Sequence, residues 1–265
     1  MRTALALLSL SLSLAACGGG SAGLPTEAEP LAPPLPLSPP PFMDGYFSTV
    51  RSVGAWPSDS TMIAVPSYSH DPSGVGKEMS QRNIWVWISA HHCFANPPSQ
   101  WEECWAKTKQ WAAPLFSTGR VLGVYVIDEP FGGEVGGITP SHVEAAVARV
   151  RSEGYRTMSA EVYGIYKRMW EGQKYAPSVD FFGLTAYYGT KTEWVEDRMR
   201  ENPRINLVFS SSDGDELWEA LASRTHARGL FRWSFDMGAA GEGRDPEAHS
   251  QALHHLRARL FMEVK

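Results

Sequence analysis

The residues best suited to chemistry are two adjacent acids, Asp128 and Glu129. They end a run of β-branched and apolar residues at 121–127 and are followed by Pro130. A parallel strand covered on both faces reads as a continuous apolar run, and ligands of parallel α/β folds gather at the carboxyl ends of such strands. An ionised group at the end of a buried strand must be paired with another group or serve a function. The pattern therefore favours functional carboxylates over acids that cap a helix or are exposed to solvent.

Strand and helix patterns alternate along the chain and must position these acids. Apolar or β-branched runs predict strands at residues 43–49, 62–66, 83–90, 121–127, 156–162, 179–187, 205–209 and 229–235. Helical patterns lie at residues 99–115, 139–153, 192–200, 215–228 and 246–262. Thr139 with Pro140 marks one helix start, and Ser99 with Glu102 reads as a capping box at another.

Repeated βα units predict a parallel sheet, and eight of them close naturally into a (β/α)8 TIM barrel, an α/β fold. A doubly wound open sheet is the alternative. No Gly-rich phosphate loop follows the first strands, which counts against a nucleotide-binding sheet of that kind.

In a barrel, the polar residues that follow the strands would surround one mouth. They are His91 and His92 after the third strand, Asp128 and Glu129 after the fourth, Glu161 at the fifth, Tyr187 at the sixth, Asp213 after the seventh, and Trp233 and Asp236 at the eighth. Strand alternation predicts that Tyr125, Ile127 and Glu129 share one face, so we expect Glu129 rather than Asp128 to point to the centre. Structural roles are the alternative: an ion pair for Glu161, packing for the two aromatic residues, and a helix cap for Asp213.

Residues 127–130 (Ile-Asp-Glu-Pro), 184–187 (Leu-Thr-Ala-Tyr) and 231–235 (Phe-Arg-Trp-Ser-Phe) resemble motifs of the (β/α)8 glycoside hydrolases. The resemblance is to the large clan whose fourth strand ends in Asn-Glu-Pro. It implies that Glu129 is the general acid/base, that Tyr187 lies beside it, and that Trp233 forms the floor of a sugar subsite. Asp128, His91, His92 and Asp236 would then contribute to substrate binding.

Two departures from the clan concern the catalytic carboxylates. Asp128 stands where the clan has asparagine, and residues 208–213 (Val-Phe-Ser-Ser-Ser-Asp) lack the glutamate that the clan places after its seventh strand. Glycoside hydrolysis usually needs two carboxylates. Asp213, Glu161 or Asp236 could supply the second, and the sequence leaves the choice and the stereochemical outcome open. Chitinase-like barrels are a second resemblance, although Asp128 and Glu129 lack the spaced acidic motif of their fourth strand.

The amino terminus predicts where the protein works. Arg2 precedes an apolar stretch at residues 4–14 that is too short to span a bilayer as a stable helix and is typical of a secretory signal. Residues 14–17 (Leu-Ala-Ala-Cys) resemble the bacterial lipoprotein processing box, which implies cleavage before Cys17 and its lipidation; an ordinary secreted protein is the alternative. We expect a signal peptide at 1–16, a Gly- and Pro-rich linker at 17–41, and one barrel domain at 42–265, held at the outer membrane or cell surface.

Net charge and cysteine content indicate which partners and cross-links to expect. A net charge of −5 and a pI near 5.9 count against nucleic acid. Cys93 and Cys104 form an even pair in an oxidising compartment, which predicts a disulfide, with a metal site that also uses His91 and His92 as the alternative.

The leading hypothesis is a membrane-anchored, monomeric glycoside hydrolase that needs no cofactor and acts on a polysaccharide or oligosaccharide. A barrel that only binds carbohydrate or protein is the second hypothesis, and it is supported by the glutamate missing after the seventh strand. A metal-dependent hydrolase that uses His91, His92 and one of the two adjacent acids is the third.

Overall fold

The computed structural model describes residues 43–49, 61–66, 68, 71–131, 138–162, 177–186, 191–210 and 227–233. Its strands are β1 (Met43–Thr49), β2 (Thr61–Val65), β3 (Trp85–Ser89), β4 (Val121–Asp128), β5 (Thr157–Val162), β6 (Phe181–Ala186), β7 (Ile205–Ser210) and β8 (Gly229–Trp233). Its helices are α1 (Ser73–Arg82), α2 (His91–Phe94), α3 (Trp101–Phe116), α4 (Pro140–Arg151) and α5 (Thr192–Glu201), with a 3₁₀ turn at Pro98–Gln100. The predicted signal, linker and last helix lie outside the described residues, as does the helix predicted at 215–228 for nearly all its length, and these assignments stay predictions.

The strands close into a parallel barrel. Each strand pairs with the next along the chain, and β8 returns to pair with β1, so that Met43 lies opposite Gly229. The predicted TIM barrel is confirmed. The alternative of an open sheet is wrong, because β8 pairs with β1 and closes the sheet. Polar residues at the carboxyl ends of the strands therefore meet at one mouth.

Side-chain alternation divides the apolar residues into two layers. The interior layer draws a buried side chain from each of seven strands and a partly buried one from β6, and it includes Trp87, Tyr125 and Phe209. Phe209 stacks on Phe231 with ring centroids 5.1 Å apart. The residues between them along the strands face outwards and pack under the helices, as Val86 does beneath α1 and α3. This two-sided burial explains why the strands read as unbroken apolar runs.

Of the two helix starts predicted from capping residues, one is confirmed and one is not. Thr139 caps α4 as predicted, because its hydroxyl accepts the backbone N–H of His142 at 3.3 Å. The capping box predicted at Ser99 does not form; a 3₁₀ turn that begins at Pro98 takes up the chain there, and α3 starts at Trp101 without a side-chain cap. Within the described part of the chain, no helix is long and apolar enough to cross a membrane.

Candidate active site

Strand β4 changes its alternation just before the two adjacent acids. Its register with β5 shifts between Tyr125 and Ile127. Tyr125 packs in the barrel interior, whereas Ile127 joins Val124 and Val126 in the layer beneath the helices. The expectation that Tyr125 and Ile127 share a face is wrong, because a bulge inserts one residue into the alternation and re-aims the side chains that follow.

The bulge brings Asp128 to Tyr125. The Tyr125 hydroxyl donates a hydrogen bond to Asp128 Oδ1 at 2.6 Å, and the backbone N–H of Asp128 donates to His91 Nδ1 at 3.0 Å. Ser159 of β5 donates its hydroxyl hydrogen to the Ile127 carbonyl at 2.6 Å, which satisfies a backbone oxygen in the irregular stretch. Asp128 as a whole residue is partly exposed, whereas its carboxyl group is largely buried.

The surroundings of Asp128 favour its protonated form. Burial of the carboxyl is the main cause that raises the pKa of Asp128, the hydrogen bond from Tyr125 lowers it, and the negative charges of Glu129 and Glu161 raise it; together these effects give a pKa of about 7. A carboxyl group with such a pKa holds its proton in a substantial fraction of molecules at neutral pH. Perturbed groups of this kind concentrate at catalytic sites.

Glu129 adopts an unusual backbone conformation. Its φ angle is 43°, in the left-handed region that only glycine enters freely. Its backbone N–H donates to the Ala160 carbonyl at 2.9 Å, which ties the residue to β5 beyond the last paired position of β4. Such conformations cost on the order of 1–3 kcal/mol and cluster at functional sites. The strain points to a role for the position of Glu129.

Glu161 lies on β5 and is fully buried. Its Oε2 accepts the backbone N–H of Phe131 at 2.9 Å, so the side chain braces the turn that follows the two adjacent acids. Met158 and Ala160 of the same strand face the interior, and alternation places Glu161 on the opposite side. Its charge still contributes to the raised pKa of Asp128.

The two adjacent histidines have different partners. His91 lies against the end of β4, and its burial lowers its pKa and favours the neutral ring. His92 Nε2 lies 2.6 Å from the hydroxyl of Tyr68 and 3.2 Å from that of Thr108 on α3. Burial, and secondly the charge of His91, lowers the pKa of His92. The structure therefore associates His91 with the acids and His92 with the outer helix.

The predicted disulfide is present and joins α2 to α3. The Cα atoms of Cys93 and Cys104 are 5.4 Å apart. In the described part of the chain, the one set of three potential metal ligands that converge is His92, Cys93 and Cys104, whose ligand atoms lie within 4.8 Å of one another. Both sulfur atoms are committed to the disulfide and are not thiolates, so this set does not fit a metal in the oxidised protein.

Several predicted site residues cannot be placed beside these groups. Trp233 ends β8 opposite Phe47, but its side chain is not among those that the structure describes. Tyr187, Asp213, Asp236 and the lipidation candidate Cys17 lie outside the described residues. Their proposed roles stay predictions.

Sequence reasoning missed Tyr125 as a member of the site, although Gly123 offered a signal. A glycine inside a strand pattern indicates a bulge or a close approach of another chain segment. A Cβ atom at Gly123 would lie 2.5 Å from the Arg156 carbonyl oxygen and 2.6 Å from the Trp87 ring. That close contact accompanies the irregular register of β4 on both of its edges.

No protein-family model and no curated protein matches the chain. Among solved structures, D-allulose 3-epimerase from Methylomonas sp. is similar over 83% of this chain and 99% of its own, with 10% identity and a TM-score of 0.50. Gas2p of Saccharomyces cerevisiae, in complex with laminaritetraose and laminaripentaose, has a TM-score of 0.48 and 13% identity over 66% of this chain. An endo-β-1,3-glucanase from Amycolatopsis mediterranei, in complex with laminarihexaose, has a TM-score of 0.41 and 12% identity over 72% of this chain and 87% of its own.

The chain spans about half of the Gas2p structure, 47% of its length. The similarity to the epimerase supports the barrel fold. Identities this low show a shared fold alone, because one barrel architecture carries many unrelated activities.

Proposed function

We propose that the protein is a glycoside hydrolase that cleaves O-glycosidic bonds of a polysaccharide or oligosaccharide by carboxylate acid/base catalysis. The observation that carries the proposal is Asp128, an acid at the barrel mouth whose pKa is raised to about 7. Glycoside hydrolysis usually needs one carboxylic acid that keeps its proton at the working pH and a second carboxylate that is ionised. The strained Glu129 directly beside it is the leading candidate for the second group.

The environment of Asp128 favours it as the proton donor. The resemblance to the glycoside hydrolase clan assigns proton transfer to Glu129, but that clan has an uncharged asparagine where this chain has Asp128. Two neighbouring carboxyl groups disfavour simultaneous ionisation, and burial keeps the proton on Asp128. Glu129 then serves as the ionised partner, while Glu161 holds the turn through Phe131.

The proposed reaction begins with proton transfer from Asp128 to the glycosidic oxygen as the bond to the anomeric carbon breaks. The ionised carboxylate either attacks the anomeric carbon or takes a proton from the water that does. One water molecule is consumed, and Asp128 recovers its proton before the next cycle. Asp213 and Asp236 remain alternative candidates for the ionised partner.

The amino-terminal pattern supports a cellular setting for this activity. We propose that Cys17 is lipidated and that residues 17–41 form a linker that holds the barrel away from a membrane of the bacterial envelope. Labelling with a radioactive fatty acid tests this step. Label should enter the wild-type chain and not a Cys17→Ala variant; equal labelling of both would contradict the proposal.

Sugar release tests the catalytic proposal directly. The full chain, purified in mild detergent, is incubated with a panel of polysaccharides that includes β-1,3-glucan, cellulose, xylan, chitin and peptidoglycan. Asp128→Asn and Glu129→Gln should each reduce release by about 100-fold or more. Glu103→Gln is the matched control, because Glu103 is an exposed residue of α3 whose carboxylate pairs with Lys107.

Each other outcome has a distinct meaning. Undiminished release by both site variants would contradict the carboxylate mechanism. Loss of release in the presence of a chelator would indicate a metal-dependent hydrolase. Binding to one polysaccharide without release from any would favour a barrel that only binds carbohydrate.

A further inference from the structure

We propose that Tyr125 and His91 are positioning residues that hold the Asp128 carboxyl so that Oδ2, and not Oδ1, delivers the proton to the substrate. The inference rests on the proposed glycoside hydrolysis and adds the atom that reacts and the groups that select it. It starts from two contacts, one on the side chain of Asp128 and one on its backbone.

The first contact fixes which oxygen is the acceptor. The Tyr125 hydroxyl lies 2.6 Å from Oδ1 of Asp128 and is fully buried. Burial, and then the charge of Asp128, raises the pKa of Tyr125 well above its ordinary value, so the phenol keeps its hydrogen. A phenol that keeps its hydrogen donates it to Oδ1. The proton of the neutral Asp128 carboxyl therefore sits on Oδ2.

The second contact fixes the backbone at the bulge. His91 Nδ1 accepts the N–H of Asp128 at 3.0 Å. A ring nitrogen can accept only when it carries no hydrogen, so the contact requires a neutral His91 with its hydrogen on Nε2. Burial lowers the pKa of His91 and favours that form. His91 therefore secures the last residue of β4 without placing a positive charge beside Asp128.

The groups that act on Asp128 come from four places in the described structure. Tyr125 lies on β4, Glu129 follows that strand, Glu161 lies on β5, and His91 lies on α2. Burial and the two neighbouring carboxylates favour the neutral form of Asp128, and the Tyr125 hydrogen bond favours the ionised form. Removing only the Tyr125 hydroxyl should therefore shift the equilibrium further towards the neutral carboxyl.

The same arrangement serves both stages of the proton transfer. The Oδ2–H bond of Asp128 breaks as an O–H bond forms on the leaving oxygen, and the electrons of the C–O bond go to that oxygen. The negative charge left on Asp128 is stabilised by the hydrogen bond from Tyr125 to Oδ1, which strengthens when its acceptor becomes charged. The carboxyl therefore need not rotate during the reaction.

A direct titration of Asp128 tests the inference without any substrate. The full chain is labelled at its aspartate carboxyl carbons, and NMR spectra are recorded across the pH range, with Asp128→Asn used to assign the signal. The wild-type Asp128 signal should titrate near neutral pH. Tyr125→Phe should raise the midpoint by about one pH unit, because it deletes one hydrogen bond to a charged acceptor.

Tyr155→Phe is the matched control. Tyr155 packs against Trp105 and Phe116 on the outside of the barrel, and its loss should leave the Asp128 midpoint unchanged. If sugar release is detected, the basic limb of the pH profile of kcat/KM should move upwards in Tyr125→Phe and stay in place in Tyr155→Phe.

A His91 pair tests the second contact and keeps the inference testable if Tyr125→Phe does not fold. Asparagine offers an oxygen close to the position of Nδ1, whereas leucine offers no acceptor. His91→Leu should raise the Asp128 midpoint, as Tyr125→Phe does, because loss of the backbone contact loosens the hydrogen bond from Tyr125 to Oδ1. His91→Asn should keep the wild-type midpoint.

An Asp128 signal that titrates at the ordinary aspartate pH would overturn the inference, as would a midpoint that ignores both the Tyr125 and the His91 variants, even if sugar is released. The expected shifts in a chain that releases no sugar would support the placement of the proton and overturn the hydrolytic function on which its use depends.

Discussion

Asp128 and Glu129 are adjacent, but each destabilises the folded protein for a different physical reason. Asp128 has a carboxyl group in surroundings that disfavour its charge, and Glu129 has a backbone conformation that disfavours its side chain. Both penalties reduce the stability of the folded protein. A protein tolerates such costs where the position is useful, and both costs can be measured without knowing the substrate.

The raised pKa of Asp128 makes stability depend on pH. The folded-state pKa of about 7 lies above the ordinary value of 3.8, so the folded protein binds this proton more tightly than the unfolded chain does. The contribution of this group to the free energy of unfolding is fully present below pH 3.8 and is lost as the pH rises through about 7. Between about pH 5 and pH 8, wild type should lose about 3 kcal/mol relative to Asp128→Asn. Urea unfolding at the two pH values measures the difference, and parallel pH dependences would contradict the raised pKa.

The left-handed backbone of Glu129 predicts an order of stability among its variants. Glu129→Ala and Glu129→Gly both remove the carboxylate, but only glycine adopts a φ of 43° without a clash of its side chain. Glu129→Gly should therefore be more stable than Glu129→Ala by about 1 kcal/mol. Thermal unfolding checks the order. An alanine variant as stable as the glycine variant would show that the backbone at this residue is relaxed.

At the scale of elements, β4 and its neighbours set the geometry of the site. The close packing of Gly123 against the Trp87 ring and the Arg156 carbonyl leaves no room for a Cβ atom. Gly123→Ala should force the strand to shift and destabilise the fold by about 2 kcal/mol. Gly74→Ala in α1 is the control, because nothing lies within 4 Å of the added atom, and it should be neutral or slightly stabilising. Equal stabilities of the two variants would contradict the packing argument.

The disulfide between α2 and α3 stabilises the segment that carries His91. Its cysteines are separated by 11 residues, a loop for which a cross-link contributes about 3 kcal/mol by restricting the unfolded chain. The double variant Cys93→Ser/Cys104→Ser should lose about that much free energy of unfolding. Reduction of the wild-type chain should reproduce the loss, and the double variant should be insensitive to the reductant. A wild-type stability that reductant leaves unchanged would contradict this role.

At the scale of the whole molecule, the barrel could be predicted because each of its strands can be recognised from its own short stretch of sequence. Each strand is buried on both faces, so each appears as an apolar run, and strands such as Met43–Thr49 and Thr157–Val162 begin and end within one residue of the prediction. Helix α1 was missed because its apolar residues are few and two glycines interrupt them; Gly76 instead lies close to the Pro114 carbonyl of α3.

The position of the two adjacent acids along the fourth strand could be predicted, but the geometry around them could not. The pattern identified both adjacent acids and their position at the end of the fourth strand. It could not give their orientation, because the bulge depends on contacts between β4 and residues of β3 and of the segment before β5 that are distant in sequence. One inserted residue reverses the alternation. The period of a regular strand would put Tyr125 and Ile127 on one face, whereas they face opposite layers.

The role of Asp128 as the proton donor is tested by comparing two substrates of the same sugar, one a natural oligosaccharide and one an aryl glycoside with an acidic leaving group. A proton donor matters only for the poor leaving group, whereas the ionised partner matters for both. We predict that Asp128→Asn loses about 100-fold or more in kcat/KM on the oligosaccharide and far less on the aryl glycoside, while Glu129→Gln loses both activities. An Asp128→Asn variant that hydrolyses the oligosaccharide at the wild-type rate would show that Asp128 is not the proton donor.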